Sequence, residues 1–520
     1  MATPQDPAVA GSAPAPETSS KGLAANKIGV LSGAILGIST VAPGYTLTAS
    51  IGLIVGSVAL KLPAIFIAGF IPMFLTAYAY RELNSDTTDS GASFTWSTRA
   101  FGPYAGWMCG WGMVIATIIV LSNLAAVAVQ FLYLTLARIF DHESWADLGT
   151  SNKAVNIGTT VVLLALATYV SMRGVTTSER IQYYLVGFQM IVLLVFATVA
   201  FVKVATGDVP DGGGLAFDID WFNPFTGMTI SAFAVGLTGS IFAFWGWDTC
   251  LTLGEECKDK ERTPGRAGLL CVLTILGTYL LVGLATMMYA GVGKTGLGLG
   301  NEEIEDNVFG ALAEPIMGSF GQIFLFLAIL ASAVASLQTT FLPVARTMLS
   351  MGSYKAFPEK FAEISPRYLS PAFGALVAGI VTAVFYTTVT LLSDRTLTDT
   401  IAALGIMICW YYGITAFACV WYFRHQLFTS GHNFLYKFLC PALGGLALIL
   451  VFIISVKESL DPENGSGASL FGIGLIFYIG FGLLILGAIL MVVMRILRPA
   501  FFVGETLRRT TPNAPVDIEK

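Results

Sequence analysis

Apolar runs long enough to cross a membrane recur along the whole chain, each followed by a short polar interval. They begin near Ile28, Leu62, Tyr104, Ala154, Arg180, Gly227, Gly268, Gly318, Pro371, Leu397, Phe434 and Leu470. At 1.5 Å of rise per residue, runs of about 20 residues cross a hydrocarbon core of ~30 Å. The pattern predicts an all-α polytopic membrane protein with about 12 transmembrane helices.

Two runs are interrupted, and they lie five spans apart. The first reads from Ile28 to Ser39, breaks at Thr40-Val41-Ala42-Pro43-Gly44-Tyr45, and resumes to about Leu60. The sixth breaks around Phe244 to Asp248. Non-helical backbone is tolerated at membrane depth only where the freed groups line a cavity or are buried in protein. Interruptions at matching places in two halves of a chain point to an inverted-repeat transporter with its site at mid-membrane; proline and glycine that merely kink a helix are the alternative.

The sixth break also carries a carboxylate. Asp248 follows Trp245-Gly246-Trp247 near mid-depth, where exposure to lipid would cost a few kcal/mol or more. Such a group is expected to face a cavity, a cation, a proton path or a polar partner.

Composition narrows the function classes. The 520 residues are 55% hydrophobic and 12% charged, with a mean hydropathy of +0.74, far from a soluble domain. No Lys/Arg cluster interleaved with aromatics points to nucleic acid. The seven cysteines imply no disulfide framework, and the three histidines fall in loops, so neither a metal site nor a histidine proton relay is expected. No cofactor is implied. Paired intramembrane carboxylates and Cys/His constellations are missing, which disfavours an enzyme, and no filter sequence suggests a channel.

Residues 1–26, rich in Ala, Pro, Ser and Thr, read as a disordered cytoplasmic tail. With that end inside, only Lys61, Arg138, Lys153, Lys203, Lys294, Arg395 and Lys457 of the 28 basic residues fall in external loops, as the positive-inside rule requires. Both termini are therefore expected on the cytoplasmic face of the cell membrane.

Three blocks carry a family resemblance. The first runs from Tyr80-Arg81-Glu82-Leu83 through Gly91-Ala92-Ser93-Phe94-Thr95-Trp96 and Phe101-Gly102-Pro103-Tyr104-Ala105-Gly106-Trp107 to Gly110-Trp111. The second is Glu255-Glu256-Cys257-Lys258-Asp259-Lys260-Glu261-Arg262-Thr263-Pro264-Gly265-Arg266-Ala267. The third joins Ala345-Arg346-Thr347-Met348-Leu349, Phe357-Pro358 and Pro366-Arg367-Tyr368. From residue 28 to about 425 the chain resembles permeases of the amino acid, polyamine and organocation superfamily, bacterial amino acid permeases among them. The resemblance implies a LeuT-type fold: a tail at 1–26, inverted repeats at 27–203 (spans one to five) and 204–425 (spans six to ten), spans eleven and twelve at 426–498, and a cytoplasmic tail at 499–520. It also implies secondary active import of an amino acid or related amine by alternating access, coupled to protons. Exchange of two amines is the alternative, and a non-transporting nutrient sensor would share the same pocket.

A zwitterion must exchange its water shell for fixed dipoles at both ends. Its carboxylate suits the N–H groups at Val41, Ala42, Gly44 and Tyr45, where the second half of span one begins; Pro43 has none to give. Where the family usually carries a Gly-Ser-Gly type run, this chain has Val-Ala-Pro-Gly. Its ammonium suits the carbonyls of Phe242, Ala243 and Phe244, with Gly246 allowing the turn. Trp245 or Trp247 would close over it, a cation–π contact worth ~0.5–2 kcal/mol, and Trp245 is the favoured gate.

The resemblance places Asp248 where many relatives carry a glutamate linked to proton coupling. Asp248 then either carries the coupling proton or holds the substrate amine. Where some relatives place a lysine in span five, this chain offers Gln189. Sodium is less favoured than the proton; its site would combine the Ser332 and Ser336 hydroxyls with span-one carbonyls. Asn123, Gln338, Thr339, Thr340, Trp410, Tyr411 and Tyr412 are possible pocket lining, helix-to-helix hydrogen bonding being the alternative for each. The charged loop from Glu255 to Arg266 is expected to latch to Arg81, Arg173 or Arg346.

Overall fold

The computed structural model describes residues 19, 21–173, 178–393 and 395–510. Most of the stretch read as an N-terminal tail, and the last ten residues of the C-terminal one, lie outside the described residues.

Among the described residues, ten apolar helical stretches are long enough to cross a membrane. One of them, Val30–Asp86, carries the first two spans. The sixth crossing is made by the shorter helix Ile230–Ala243, a turn, and Thr249–Thr252, which brings the crossings to twelve. The chain is a multi-pass membrane protein, built almost wholly of helices; the strands described are the two-residue pair Ser469–Leu470 and Ile473–Gly474.

Local chemistry sets the helix ends. Thr229 caps the sixth span by accepting the Ala232 N–H at 3.1 Å, and Asn307 caps the eighth by accepting the Gly310 N–H at 3.1 Å. Pro103 opens the third span at a position where its missing N–H costs nothing. That third span, Pro103–Ile139, is almost wholly buried and forms the post of the molecule against the eighth, Val308–Ser353. The fourth span, Lys153–Ser171, and the twelfth turn most of their surface outward, as helices facing lipid do.

Small residues let the sixth span approach its neighbours. A methyl on Gly69 of the second span would collide with Ser240, and one on Gly405 of the tenth with Thr238. The first half of span six is thereby held between spans two and ten, with no room at either contact.

The two ends of the bundle differ. At one, acidic loops pair with most of the few basic residues there: Lys61 Nζ lies 2.5 Å from Asp220, Arg138 lies 3.1 Å from Glu314, and Arg395 pairs with Glu305 and, at 3.6 Å, with Glu302. At the other, residues 21–28 strap across the loop after span six. Lys27 and Ile28 both donate their N–H groups to the Glu256 carbonyl, at 2.8 and 3.1 Å, and Lys258 N–H donates to Ile28 O at 3.0 Å. Lys21 Nζ lies 2.7 Å from Asp89 and 2.7 Å from Glu255, all three buried.

Asp89 also accepts hydrogen bonds at 2.8 Å from Thr95, Ser350, Tyr354 and the Gly91 N–H. Burial pushes its carboxyl up, but the Lys21 ammonium and these donors outweigh it and hold the group down to about 2. Of the three arginines expected to latch the loop, Arg346 does so, its Nε 2.6 Å from Glu256. Arg81 pairs instead with its neighbour Glu82, and Arg173 lies over the Tyr169 ring.

Candidate functional site

The break in span one is a single residue. Helix Val30–Val41 ends, Ala42 takes a left-handed conformation at φ 54°, and Pro43–Val58 begins at once. Most freed groups are already paired: Ala42 N–H donates to Ile38 O at 2.9 Å, Thr46 Oγ1 to Val41 O at 2.5 Å, and Ser336 Oγ to Thr40 O at 2.8 Å. Left at the head of the second half are Gly44 and Tyr45, whose N–H points at Ser332 Oγ over 3.4 Å.

Gln189 of the fifth span faces this helix head. Its amide oxygen lies 3.6 Å from where a Gly44 side chain would begin, it is fully buried, and neither of its polar side-chain atoms has a hydrogen-bond partner. A buried, unsatisfied amide beside the N–H groups at a helix head is a ready receiver for a polar ligand.

The break in span six is longer. Helix Ile230–Ala243 stops, and the chain turns through Phe244 to Asp248 with Gly246 at φ 110°, a region that L side chains rarely adopt. Trp245 N–H donates to Phe242 O at 2.9 Å, and the Tyr279 hydroxyl donates to Ala243 O at 2.6 Å. Both carbonyls thus have protein donors already.

Asp248 is only 2% exposed. Tyr411 joins it to the break: the Trp245 indole N–H donates to the Tyr411 oxygen at 2.5 Å, and the Tyr411 hydroxyl reaches Asp248 Oδ2 at 3.4 Å. Trp247, Tyr80 and Tyr412 form a triangle of rings alongside, with centroids 5.1, 5.3 and 5.5 Å apart. The Trp247 N–H has no hydrogen-bond partner, and the Tyr412 hydroxyl faces the Asp248 carboxylate. Tyr45 meets Phe242 edge-on at 6.4 Å, joining the two breaks through their side chains.

Of the residues singled out from the sequence, Val41, Ala42, Gly44, Tyr45, Phe242, Ala243, Phe244, Trp245, Gly246, Trp247, Asp248 and Tyr411 are brought into this one region. Asn123 adjoins Tyr45 and lines a different cavity, Trp410 turns away to stack near Phe452 at 5.3 Å, and Gln338 is half-buried on the eighth span. Two participants were not anticipated as site residues. Tyr80 stood only inside a motif, and Tyr279, a lone tyrosine in an apolar run, carries no sequence signal for its bond to Ala243.

A broken-helix pair around a buried carboxylate defines the class of polytopic membrane permeases. The family model described as amino acid permease matches residues 28–481, and the chain belongs to that family. It is similar to the methylthioribose transporter of Bacillus subtilis, 26% identical over 61% of this chain and 65% of that protein. It is also similar to the branched-chain amino acid permease BcaP of Lactococcus lactis, 25% identical over 62% of this chain and 66% of that one. The low-affinity putrescine importer PlaP of Escherichia coli is 22% identical over 67% and 71%. The chain thus spans about two thirds of the length of these relatives.

Among solved structures, MhsT in complex with L-phenylalanine superposes with a TM-score of 0.57 at 16% identity, covering 81% of this chain and 98% of that one. The fold is LeuT-type, with two helices beyond the ten of the inverted repeats.

Proposed function

We propose that this protein is a secondary transporter that imports an amino acid or a related amine by alternating access, coupled to protons. The observation that carries this reading is Asp248: a fully enclosed carboxylate, facing the phenols of Tyr411 and Tyr412 among aromatic rings, beside two helix breaks that touch. The substrate carboxylate is received by the Gly44 and Tyr45 N–H groups, whose partial positive charge favours an anion, with the Gln189 amide as a further donor. The amine faces Asp248 and the Trp247, Tyr80 and Tyr412 rings. Phe242 and Ala243 carbonyls, already bonded to protein, support the turn rather than the ligand.

The set contains no group suited to covalent or redox chemistry on a substrate, and we infer transport rather than catalysis. The relatives include a branched-chain amino acid permease and a putrescine importer, which supports the substrate class. The sodium arrangement is the weaker reading, because the enclosed carboxylate of Asp248 offers a proton acceptor beside the breaks.

The test is uptake into proteoliposomes with imposed pH and voltage gradients over a panel of amino acids and polyamines. Saturable, pH-gradient-driven uptake without preloaded substrate is expected. Asp248→Asn is expected to abolish the pH dependence. Uptake that needs a preloaded amine identifies an exchanger, and binding without flux identifies a sensor.

A further inference from the structure

The segment that follows span twelve does not trail away from the molecule. After Leu497 the chain makes the short helical turn Pro499–Phe502 and runs on to Arg509 across the end of the bundle opposite the acidic loops. Phe501, Phe502, Thr506 and Leu507 are buried, Phe501 completely. Burying two phenylalanines and a leucine commits the segment to one place.

Its partners lie on several elements. Phe501 stacks on Phe94 of the helix Ser93–Phe101, ring centroids 5.5 Å apart, and Phe502 packs at 5.5 Å on Tyr104 at the start of span three. Thr506 Oγ1 donates to the Tyr354 carbonyl at the end of span eight, at 2.6 Å, and Arg498 pairs with Glu359 at 2.6 Å. Arg99 donates to the carbonyls of Arg508 and Arg509, at 3.4 and 3.2 Å. Arg509 in turn donates to Tyr422 O at the end of span ten, at 2.8 Å.

Two of these partners also mount Asp89, the anion that holds the strap at residues 21–28. Tyr354 gives its hydroxyl to Asp89 at 2.8 Å, and the Lys21 ammonium lies 5.6 Å from the centre of its ring. Phe94, its ring 6.4 Å from that of Tyr354, closes the turn after Asp89 by donating its N–H to Gly91 O at 3.0 Å. Phe501, Phe94 and Tyr354 thus form a row of rings that ends on the Lys21–Asp89 pair. A buried ammonium depends on its counter-charge staying in place, because a displaced Asp89 leaves Lys21 uncompensated away from water.

We propose that residues 499–509 are a built-in brace that holds the strap shut through Tyr354 and Asp89, so that undocking this segment releases residues 21–28 from the loop after span six. That this end of the bundle opens during the cycle is taken from the transport reading; the docking of the brace is not.

The experiment follows alkylation of Cys257, which lies under the strap, by N-ethylmaleimide on purified full-length protein, read by intact mass. Thr506→Val removes the bond to Tyr354, and Phe501→Ala removes the ring against Phe94; each is made alone and together with Lys21→Ala. Alkylation is expected to quicken about fivefold for Thr506→Val, the worth of one hydrogen bond, and about tenfold or more for Phe501→Ala. In the Lys21→Ala protein, whose strap is already free, either change is expected to add less than about twofold, the non-additivity of linked sites. Wild-type rates in both variants overturn the brace, as does the same quickening with and without Lys21. So does equal quickening of the other cysteines in a Cys257→Ser background, which shows a loosened bundle instead. Linked release of Cys257 in a protein without flux in proteoliposomes supports the brace and overturns the transport reading alone.

Discussion

Gly246 lies directly on the backbone at Thr40: a side chain begun at Gly246 would sit 3.1 Å from the Thr40 carbonyl carbon and 3.1 Å from the Val41 nitrogen. The two helix breaks are therefore in contact through main chain as well as through the Tyr45 and Phe242 rings, and neither can rotate without displacing the other.

We predict that Gly246→Ala is damaging beyond its size. The position needs φ 110°, which strains any L residue by about 1–3 kcal/mol, and the methyl also presses on Thr40. A lowered thermal midpoint with loss of uptake is expected; wild-type uptake would show that the two breaks are not coupled.

Ala42, in the break of span one, is also strained, holding φ 54° with a Cβ present. Replacement by Val adds β-branching to a left-handed conformation and is predicted to destabilise by at least ~1–2 kcal/mol, whereas Gly is tolerated. Thermal unfolding of the three proteins side by side checks the order.

Tyr411→Phe removes the oxygen that takes the Trp245 N–H and reaches Asp248. A buried indole N–H left without an acceptor costs about 1–3 kcal/mol. We predict a less stable protein whose uptake falls, while Tyr412→Phe, which leaves the Trp245 N–H its acceptor, falls less. Equal losses would count against Tyr411 as the link.

Lys21 neutralises Asp89 and Glu255 in a buried cluster, and removing one partner of such a cluster typically costs 3–5 kcal/mol. Lys21→Ala is predicted to loosen the strap over the loop after span six. Cys257, 1% exposed beneath that strap, then becomes reactive to a thiol reagent. Protection equal to wild type would sink the prediction.

The same cluster sets a pH limit. The Asp89 carboxyl is held down to about 2 in the folded protein, against about 3.9 in an unfolded chain. Its stabilising contribution is complete above the unfolded value and is lost as pH falls through about 2. In the Lys21→Ala protein the loss is expected at higher pH, measurable as acid-induced unfolding.

The spans were legible in the sequence because length and apolarity alone decide whether a helix crosses a membrane, and both breaks stood out through Pro43-Gly44 and Gly246. Rotation about each helix axis was not legible. Trp410, Tyr411 and Tyr412 are consecutive, yet the 100° step between helical residues sends Tyr411 and Tyr412 toward Asp248 and Trp410 toward Phe452. Neither was the role of Lys21, a lone basic residue in a polar stretch whose partners lie 68 and 234 positions away. Asn123 illustrates the same limit: it reads as a polar residue in an apolar run, and only packing shows which cavity it faces.

The pinch of span six between Gly69 and Gly405 has a consequence for how this sequence can drift. On the outward faces, residues such as Ile191, Leu194 and Ile380 can exchange for any apolar residue at little cost, because acyl chains reshape around them. At the pinch the smallest possible enlargement has nowhere to go. A saturation library would thus come back permissive across the lipid-facing rim and blank along one narrow line through the middle of the bundle.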